Sequence, residues 1–457
     1  MTRPKFRDSA PQPDWWFHKV TAILADMDHP TDTWSHCLEH AALSDIGLRR
    51  ANNQDSYCVA LAGDQGDFER RGHLLIVADG MGAHAAGELA SKIAADVVSL
   101  TYRKLLDQSP PEAVLSAVLE ANRQIHTRGQ ASPDFRGMGT TTTALLLLPA
   151  GALVAHVGDS RAYRLRGSRI EQLTFDHSLV WEMQASGHSP EAEAAGYISK
   201  NIITRSLGPS PTVQVDLEGP FQVQAGDTFL LCSDGLSNQV KDDEIGMVLG
   251  CLPPAEAAQT LIDLACLRGG PDNITAVVAR VLGPQVAQAG GSDQPASSVA
   301  ANVRPIHPLV WTLLGAASLA AVGLLMLEHP AMALISLLVA VGAGAAALQQ
   351  RYGGGRKSEL DRRRFGRGPY VQCDAAPNSD LLARLAEIVR QLRDASMSEN
   401  WAVDWARFDG LLAQSTAAAR SGDLAAAARA NLRAISSIMA HLRKQRPAGS
   451  DSGVFTF

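Results

Sequence analysis

LLIVADGMGAHAAGELAS, residues 74–91, carries the reading of the fold. Five apolar residues, Leu74 to Ala78, stop abruptly at Asp79-Gly80-Met81-Gly82. A short, branched apolar run bounded by glycine reads as a buried strand. Asp79 then stands where the chain leaves the core. The glycines after it permit backbone geometry closed to other residues and let a main-chain carbonyl approach a ligand. Small residues and Glu88 open a helical pattern directly afterwards. A carboxylate beside an accessible carbonyl suits a hard cation, because magnesium and manganese take oxygen ligands. Taken alone, the stretch is more often an ordinary Asp-Gly turn after a strand.

Working outward, strand-like runs recur at 57–61, 141–148, 153–157, 162–166, 228–232 and 275–281. Amphipathic helical stretches lie at 88–106, 111–129, 242–251 and 254–268. Strands come in clusters separated by pairs of helices. That pattern predicts a layered α+β fold, antiparallel sheets covered by helices, rather than βαβ alternation.

Asp79-Gly80 has counterparts at other strand edges. Upstream lies Arg50-Ala51-Asn52-Asn53-Gln54-Asp55; downstream lie Gly158-Asp159-Ser160, Cys232-Ser233-Asp234-Gly235 and Pro271-Asp272-Asn273. If the sheets bring these edges together, several carboxylates converge. Two carboxylates about 4 Å apart repel by about 4 kcal/mol at an effective dielectric of 20, so the cluster needs counter-charge. The donors are oxygens, without a neighbouring His-x-His or Cys pair, which favours magnesium or manganese over zinc. Water held between such ions becomes a nucleophile near neutral pH. Arg50 adds a planar fork suited to phosphate oxygens. The implied reaction is hydrolytic attack on phosphorus.

At this point residues 40–283 resemble the bacterial metal-dependent serine/threonine phosphatases of type 2C. The matching motifs, in order, are GLRRANNQDS (47–56), VADGMGAHAAGELAS (77–91), GMGTT (137–141), HVGDSRAYRLR (156–166), LTFDHS (173–178), ITRSLG (203–208), LLCSDGLS (230–237) and GGPDNIT (269–275). The resemblance implies two packed antiparallel sheets flanked by helix pairs. It implies that Asp79 bridges two Mn²⁺ or Mg²⁺ ions, that Gly80 offers its carbonyl, and that Asp234 and Asp272 complete the site. Asp55 would orient metal-bound water and Arg50 would hold the substrate phosphate. Asp159, with Asp234, matches the pair that holds a third ion in bacterial members, and 178–200 corresponds to a flap beside it. Three departures stand out: Gln54 where many members have Glu, Ala83 for a second glycine, and Met81 where eukaryotic members carry a histidine proposed as general acid. His84 lies nearby without a claim to that role.

The rest of the chain lies outside the resemblance. Formal net charge is −6 over 457 residues, which argues against nucleic acid as a partner. Six cysteines without CxxC or zinc-finger spacing read as reduced core thiols. Residues 1–39 form a polar extension in which Trp15, Trp16 and Phe17 offer an anchor, and 284–307 is a Gly/Ser/Ala-rich linker. Residues 308–327 and 331–348 are uncharged runs long enough for a transmembrane hairpin. The segment 349–378 follows; its stretch 351–367 holds seven basic and two acidic residues, a cytoplasmic flank by the positive-inside rule. Apolar residues at helical spacing over 379–445 (Leu381, Leu385, Ile388 and Leu392; Trp401, Trp405, Phe408 and Leu412; Leu432, Ile435, Met439 and Leu442) predict three short helices forming a small bundle, before a loose tail, 446–457. Ser421-Gly422-Asp423 reads as a helix stop followed by an N-cap.

The expectation is a multi-pass phosphatase of the cytoplasmic membrane, with catalytic and C-terminal regions in the cytoplasm. It would act on phosphoserine and phosphothreonine of proteins and oppose a serine/threonine kinase; a single dedicated protein substrate, as in a sporulation or stress regulator, is equally open. The alternative is a catalytically weak phosphatase fold that recruits partners through its C-terminal helices.

Overall fold

The apolar run at 74–78 becomes the middle of a strand, β3 (His73–Met81). Leu74, Ile76 and Ala78 face one core, and Leu75 and Val77 face another. Burial on both faces explains an unbroken apolar run in place of alternation. These features come from a computed structural model that describes residues 37–82, 85–185, 202–283, 286, 366–399 and 401–445. The expected hairpin at 308–327 and 331–348, residues 1–36, most of the expected flap (186–201), the rest of the linker, 349–365, the tail and positions 83 and 84 lie outside the described residues. Among the described residues no helix is long and apolar enough to cross a membrane.

Two antiparallel sheets pack face to face, as expected. One runs β2 (Asp55–Ala60), β3, β5 (Thr142–Leu148), β6 (Gly151–Val157) and β9 (Asp216–Phe221), with the two-residue β4 (Gly139–Thr140) set against β3. The other runs β1 (Leu38–Asp45), β11 (Ile274–Val281), β10 (Thr228–Cys232), β7 (Arg161–Arg166), β8 (Arg169–Gln172) and β12 (Val371–Asp374). Leu75, Val77, Leu145 and Leu147 of the first sheet meet Phe229, Leu231, Val277 and Ala279 of the second in the central core. A short helix α1 (Gln65–Arg71) links β2 to β3. The outer face of the first sheet is covered by α2 (Ala86–Lys104) and α3 (Pro110–Ala131), the latter opened by a Ser109–Glu112 capping box. After β8 comes α4 (Leu179–Ala185), and after β10 comes one turn, α5 (Asp234–Ser237). The outer face of the second sheet carries α6 (Asp242–Cys251) and α7 (Pro254–Leu267).

The C-terminal region holds the three expected helices, α8 (Ser379–Ser398), α9 (Trp405–Ser421) and α10 (Leu424–Gln445). Gly422 ends α9 with φ 79°, and Asp423 accepts the Ala426 amide at 2.9 Å, which is the anticipated stop and cap. The helices pack on one another as expected, α10 against both α8 and α9, and α10 also docks on the catalytic domain. Leu381, Leu385, Val389 and Leu392 of α8, and Leu432, Ile435 and Ile438 of α10, share one core with Ile245, Val248, Leu261 and Leu264 of α6 and α7. Helical periodicity marks which face is buried, not what it is buried against. Nor is 349–378 only a basic connector: its end forms β12, which pairs with β8 and so extends the second sheet. Similarly, β1 begins at Leu38, inside the expected N-terminal extension. Polar contacts reinforce the docking, among them Arg433–Glu256, Arg384–Asp243, Thr260–Ser436 and Arg443–Asp263.

Candidate metal centre

Antiparallel pairing sets the site. Asp55 opens β2 and Asp79 nears the end of β3, and the ladder places them opposite each other. β10 ends just before Asp234, and its neighbour β11 begins just after Asp272, so both arrive at one end of the second sheet. Asp159 follows β6 through Gly158, whose φ of 114° makes the turn. Gly80 has no room for a side chain: a Cβ there would lie 2.1 Å from the Gly87 carbonyl oxygen. All five aspartates named from sequence thus belong to one edge, and each interacts electrostatically with others of the set.

Hydrogen bonds hold the edge in shape. Ser233 and Thr275 each donate a hydroxyl to Asp55 Oδ2 at 2.7 Å. The Asp79 amide donates to Thr141 Oγ1 at 2.9 Å, and the Asp79 carbonyl accepts from the Thr141 amide and the Thr140 hydroxyl. Asn273 ties the Arg50 loop to β11: its Nδ2 donates to the carbonyls of Ile46 and Asn52, and its Oδ1 accepts from the Gln54 amide. Gln54 turns its own side-chain nitrogen to the Gly82 carbonyl at 3.3 Å, a contact that a glutamate could not donate. Arg50, half exposed, donates to Asp272 Oδ2 at 2.7 Å.

The electrostatics are those of a cage short of positive charge. Burial, with repulsion from Asp234 and Asp272, lifts Asp55 to about 7 against the bonds from Thr275 and Ser233. Burial and then Asp234 lift Asp159 to about 8; burial and then Asp272 lift Asp234 to about 6. Burial and its neighbours, Asp55 first, hold Asp79 well above the carboxylate range. One buried oxygen on each of Asp55, Asp159 and Asp234 has no hydrogen-bond partner. Uncompensated buried carboxylate oxygens are costly, and a divalent cation is the partner that fits an all-oxygen set. Among the described residues no three such side chains already form a closed ligand cage. Asp272 contributes to that: Arg50 and the Asn273 amide engage its two oxygens.

The family model described as Protein phosphatase 2C matches residues 49–261. A putative protein phosphatase 2C-type of Streptococcus pyogenes is 40% identical over 237 residues, 51% of this chain and 93% of that protein. The chain belongs to the protein phosphatase 2C family. The serine/threonine protein phosphatase PstP of Mycobacterium tuberculosis is 40% identical over 253 residues, 54% of this chain and 45% of that protein. The solved catalytic domain of a phosphatase PstP, in complex with two manganese ions, is 38% identical, covers 54% of this chain and 99% of that chain, and has a TM-score of 0.45. The relatives matched by sequence cover 51–54% of this chain, and β12 and α8–α10 lie beyond the matched family region.

Sequence reasoning did not single out Ser233, Thr275, Thr141 or Asn273 as parts of the phosphatase site. Each sits beside a named aspartate or inside a quoted motif, which is the one signal the sequence offered. Among the positions weighed for a general acid, Met81 ends β3, and His84 lies outside the described residues.

Proposed function

We propose that this phosphatase hydrolyses phosphoserine and phosphothreonine monoesters on proteins, using Mn²⁺ or Mg²⁺, at the cytoplasmic face of a membrane, and that it opposes a serine/threonine kinase. The observation that carries the chemistry is the shared strand edge, where three buried carboxylate oxygens lack any partner. Asp79, the Gly80 carbonyl, Asp234 and Asp272 would hold two ions, with Asp159 and Asp234 available to a third. Such ions supply Lewis acidity and a nucleophile derived from water at neutral pH. The chain's own residues supply the rest. Arg50 presents its guanidinium at the mouth of the site, where a phosphate would compete with Asp272 for it. Asp55 is fixed by two hydroxyls on one oxygen, leaving the other to orient a water and take its proton.

Topology supports the membrane part. The chain leaves the sandwich at Gly283, whose amide bonds the Cys37 carbonyl, and Val286 is still buried in the central core. It returns at Gly366, bonded to Leu217 of β9, and enters the second sheet as β12. Both anchors lie in one domain, so any membrane crossings between them come in an even number, which two spans at 308–327 and 331–348 would satisfy. The alternative, a silent module recruiting partners through its C-terminal helices, is weakened because their apolar faces are already buried, against one another and, for α10, on α6 and α7.

The test is phosphate release from phosphoserine and phosphothreonine peptides by the full chain in detergent, with Mn²⁺ or Mg²⁺ added. Absence of release under every metal condition overturns the enzymatic reading. Protease protection in sealed vesicles tests the topology: cleavage of α10 and of the catalytic domain from opposite faces overturns it.

A further inference from the structure

The segment from Gly366 to β12 crosses from one sheet to the other. The Gly366 amide bonds the Leu217 carbonyl at 3.1 Å, and the Gly368 amide bonds Glu218 Oε2 at 3.2 Å, both on β9. The Tyr370 amide then bonds the Gln172 carbonyl on β8 at 2.8 Å. Tyr370 itself grips both sides. Its hydroxyl donates to Glu218 Oε1 at 2.6 Å, and its ring meets Phe175 edge-on with centroids 5.4 Å apart.

The two residues it grips flank the contact between buried His177 and partly exposed Asp216. Phe175 lies two residues before His177, and Glu218 lies two after Asp216; His177 Nε2 and Asp216 Oδ2 are 2.9 Å apart. His177 holds the turn that leads to Asp159 from two directions. Its Nδ1 accepts from the Gly158 amide at 3.0 Å, and its own amide donates to the Gly158 carbonyl at 2.8 Å. Between Phe175 and His177, Asp176 anchors Arg161, two residues beyond Asp159, at 2.7 Å. Phe175 also packs against Trp181, and the Arg161 guanidinium lies 5.6 Å from the centre of the Trp181 ring.

We propose that Tyr370 is a positioning residue for the metal centre: through Phe175 and Glu218 it fixes the 175–178 wall and thereby the Gly158–Asp159 turn. The C-terminal strap is thus part of the catalytic apparatus, outside the region that the family model covers. This rests on the reading of Asp159 as an ion-holding group. Aromatic contact and a part-buried hydrogen bond to a carboxyl each contribute at the level that shifts an equilibrium several-fold.

The test uses the full chain in detergent, with Tyr370→Phe, Tyr370→Ala and Tyr370→Leu. Two readouts are taken: the Mn²⁺ concentration giving half-maximal hydrolysis of p-nitrophenyl phosphate, with kcat and KM separated, and amide hydrogen exchange over 156–182 without metal. Tyr370→Ala is expected to raise the Mn²⁺ requirement roughly three- to tenfold, with KM for the ester little changed. It should also speed exchange at Gly158 and His177 while α3 stays protected. Tyr370→Phe, which keeps the ring contact, should recover most of both. Unchanged Mn²⁺ dependence and unchanged exchange at 156–182 in an active chain overturn the proposal. Faster exchange confined to α8–α10, or spread evenly over the molecule, overturns it also. Should Tyr370→Ala fail to fold, Tyr370→Leu, which loses both the edge-on ring contact and the hydroxyl, decides on the same two readouts. A wild-type chain without activity would count against the phosphatase reading, while the exchange arm would still judge the strap.

Discussion

Asp55 and Asp79 stand opposite each other in the β2–β3 ladder, a buried carboxylate paired with a partly buried one. Directly paired residues of antiparallel strands hold their side chains close, and like charges there destabilise. The site is therefore under electrostatic load that a cation relieves. Asp79→Asn removes a ligand and a charge together, as does Asp234→Asn. Either change should cut turnover by more than the roughly 10–100-fold lost with an outer-shell partner. In excess chelator at alkaline pH, the same variants should melt higher than wild type, because one repelling charge is gone. Near-normal turnover in both variants would contradict the ligand assignment.

Ion binding should be visible in stability alone. A ligand that binds only the folded state at about a hundred times its Kd stabilises by about 2.7 kcal/mol. Adding Mn²⁺ to the chelated chain should raise the Tm in a concentration-dependent way, and Asp79→Asn should blunt that rise. Calorimetry showing identical melting in chelator and in saturating Mn²⁺ would mean that the orphaned carboxylate oxygens are not ion ligands.

The catalytic half was legible because its strands are buried on both faces and end in abrupt Asp-Gly or Asp-Asn steps. Leu74 to Ala78 and Leu230 to Cys232 announce themselves by composition, and their acidic ends mark the site. The rest depended on contacts that no local pattern records. β12 is a four-residue edge strand set after a basic stretch, and it exists because β8 offers it an unpaired edge. In α8 the buried position is Val389, with Ile388 only partly covered, a rotation fixed by packing against α10 rather than by the helix itself. The hydroxyls of Ser233 and Thr275 meet Asp55 only once the two sheets face each other.

Gly246 in α6 measures how closely the C-terminal segment is fitted. A Cβ at this position would lie 2.4 Å from the Ala375 Cβ and 3.0 Å from that of Ile170. Helix propensity alone favours alanine over glycine by about 1 kcal/mol. Overpacking a tight contact costs about 1–3 kcal/mol, so the clash should prevail and Gly246→Ala should lower stability. Adding Ala375→Gly should recover much of the loss. Denaturant unfolding of the single and double variants reads this directly, and a stabilised single variant would show that the segment yields without cost.

Glu218 links the strap to pH. Burial raises its carboxyl to about 7, against the bonds donated by Tyr370 and Gly368, with Asp216 adding repulsion. A folded-state value above the unfolded one means that the contribution is fully present below about 4.3 and is lost as pH rises through about 7. Wild type should therefore lose stability on the order of 2 kcal/mol between mildly acidic and mildly alkaline solution. Glu218→Gln, neutral throughout, should not show this component. Parallel pH–Tm profiles for the two proteins would remove Glu218 as the titrating group.

Asp263, wholly buried in α7, is paired with Arg443 of α10, and its Oδ2 has no hydrogen-bond partner. Burial lifts the carboxyl to about 6 even with Arg443 beside it. Removing the guanidinium leaves a buried charge without its cation, a change that costs about 3–5 kcal/mol. Arg443→Ala should be strongly destabilising at neutral pH. The loss should shrink as acidification protonates Asp263, since the neutral acid no longer needs the cation. Asp263→Leu combined with Arg443→Met replaces the pair by apolar surface continuous with the α7–α10 core and should restore most of the stability. If Arg443→Ala unfolds at the wild-type denaturant midpoint at neutral pH, the ion pair contributes nothing to holding α10 on the catalytic domain, and the apolar core alone carries the docking.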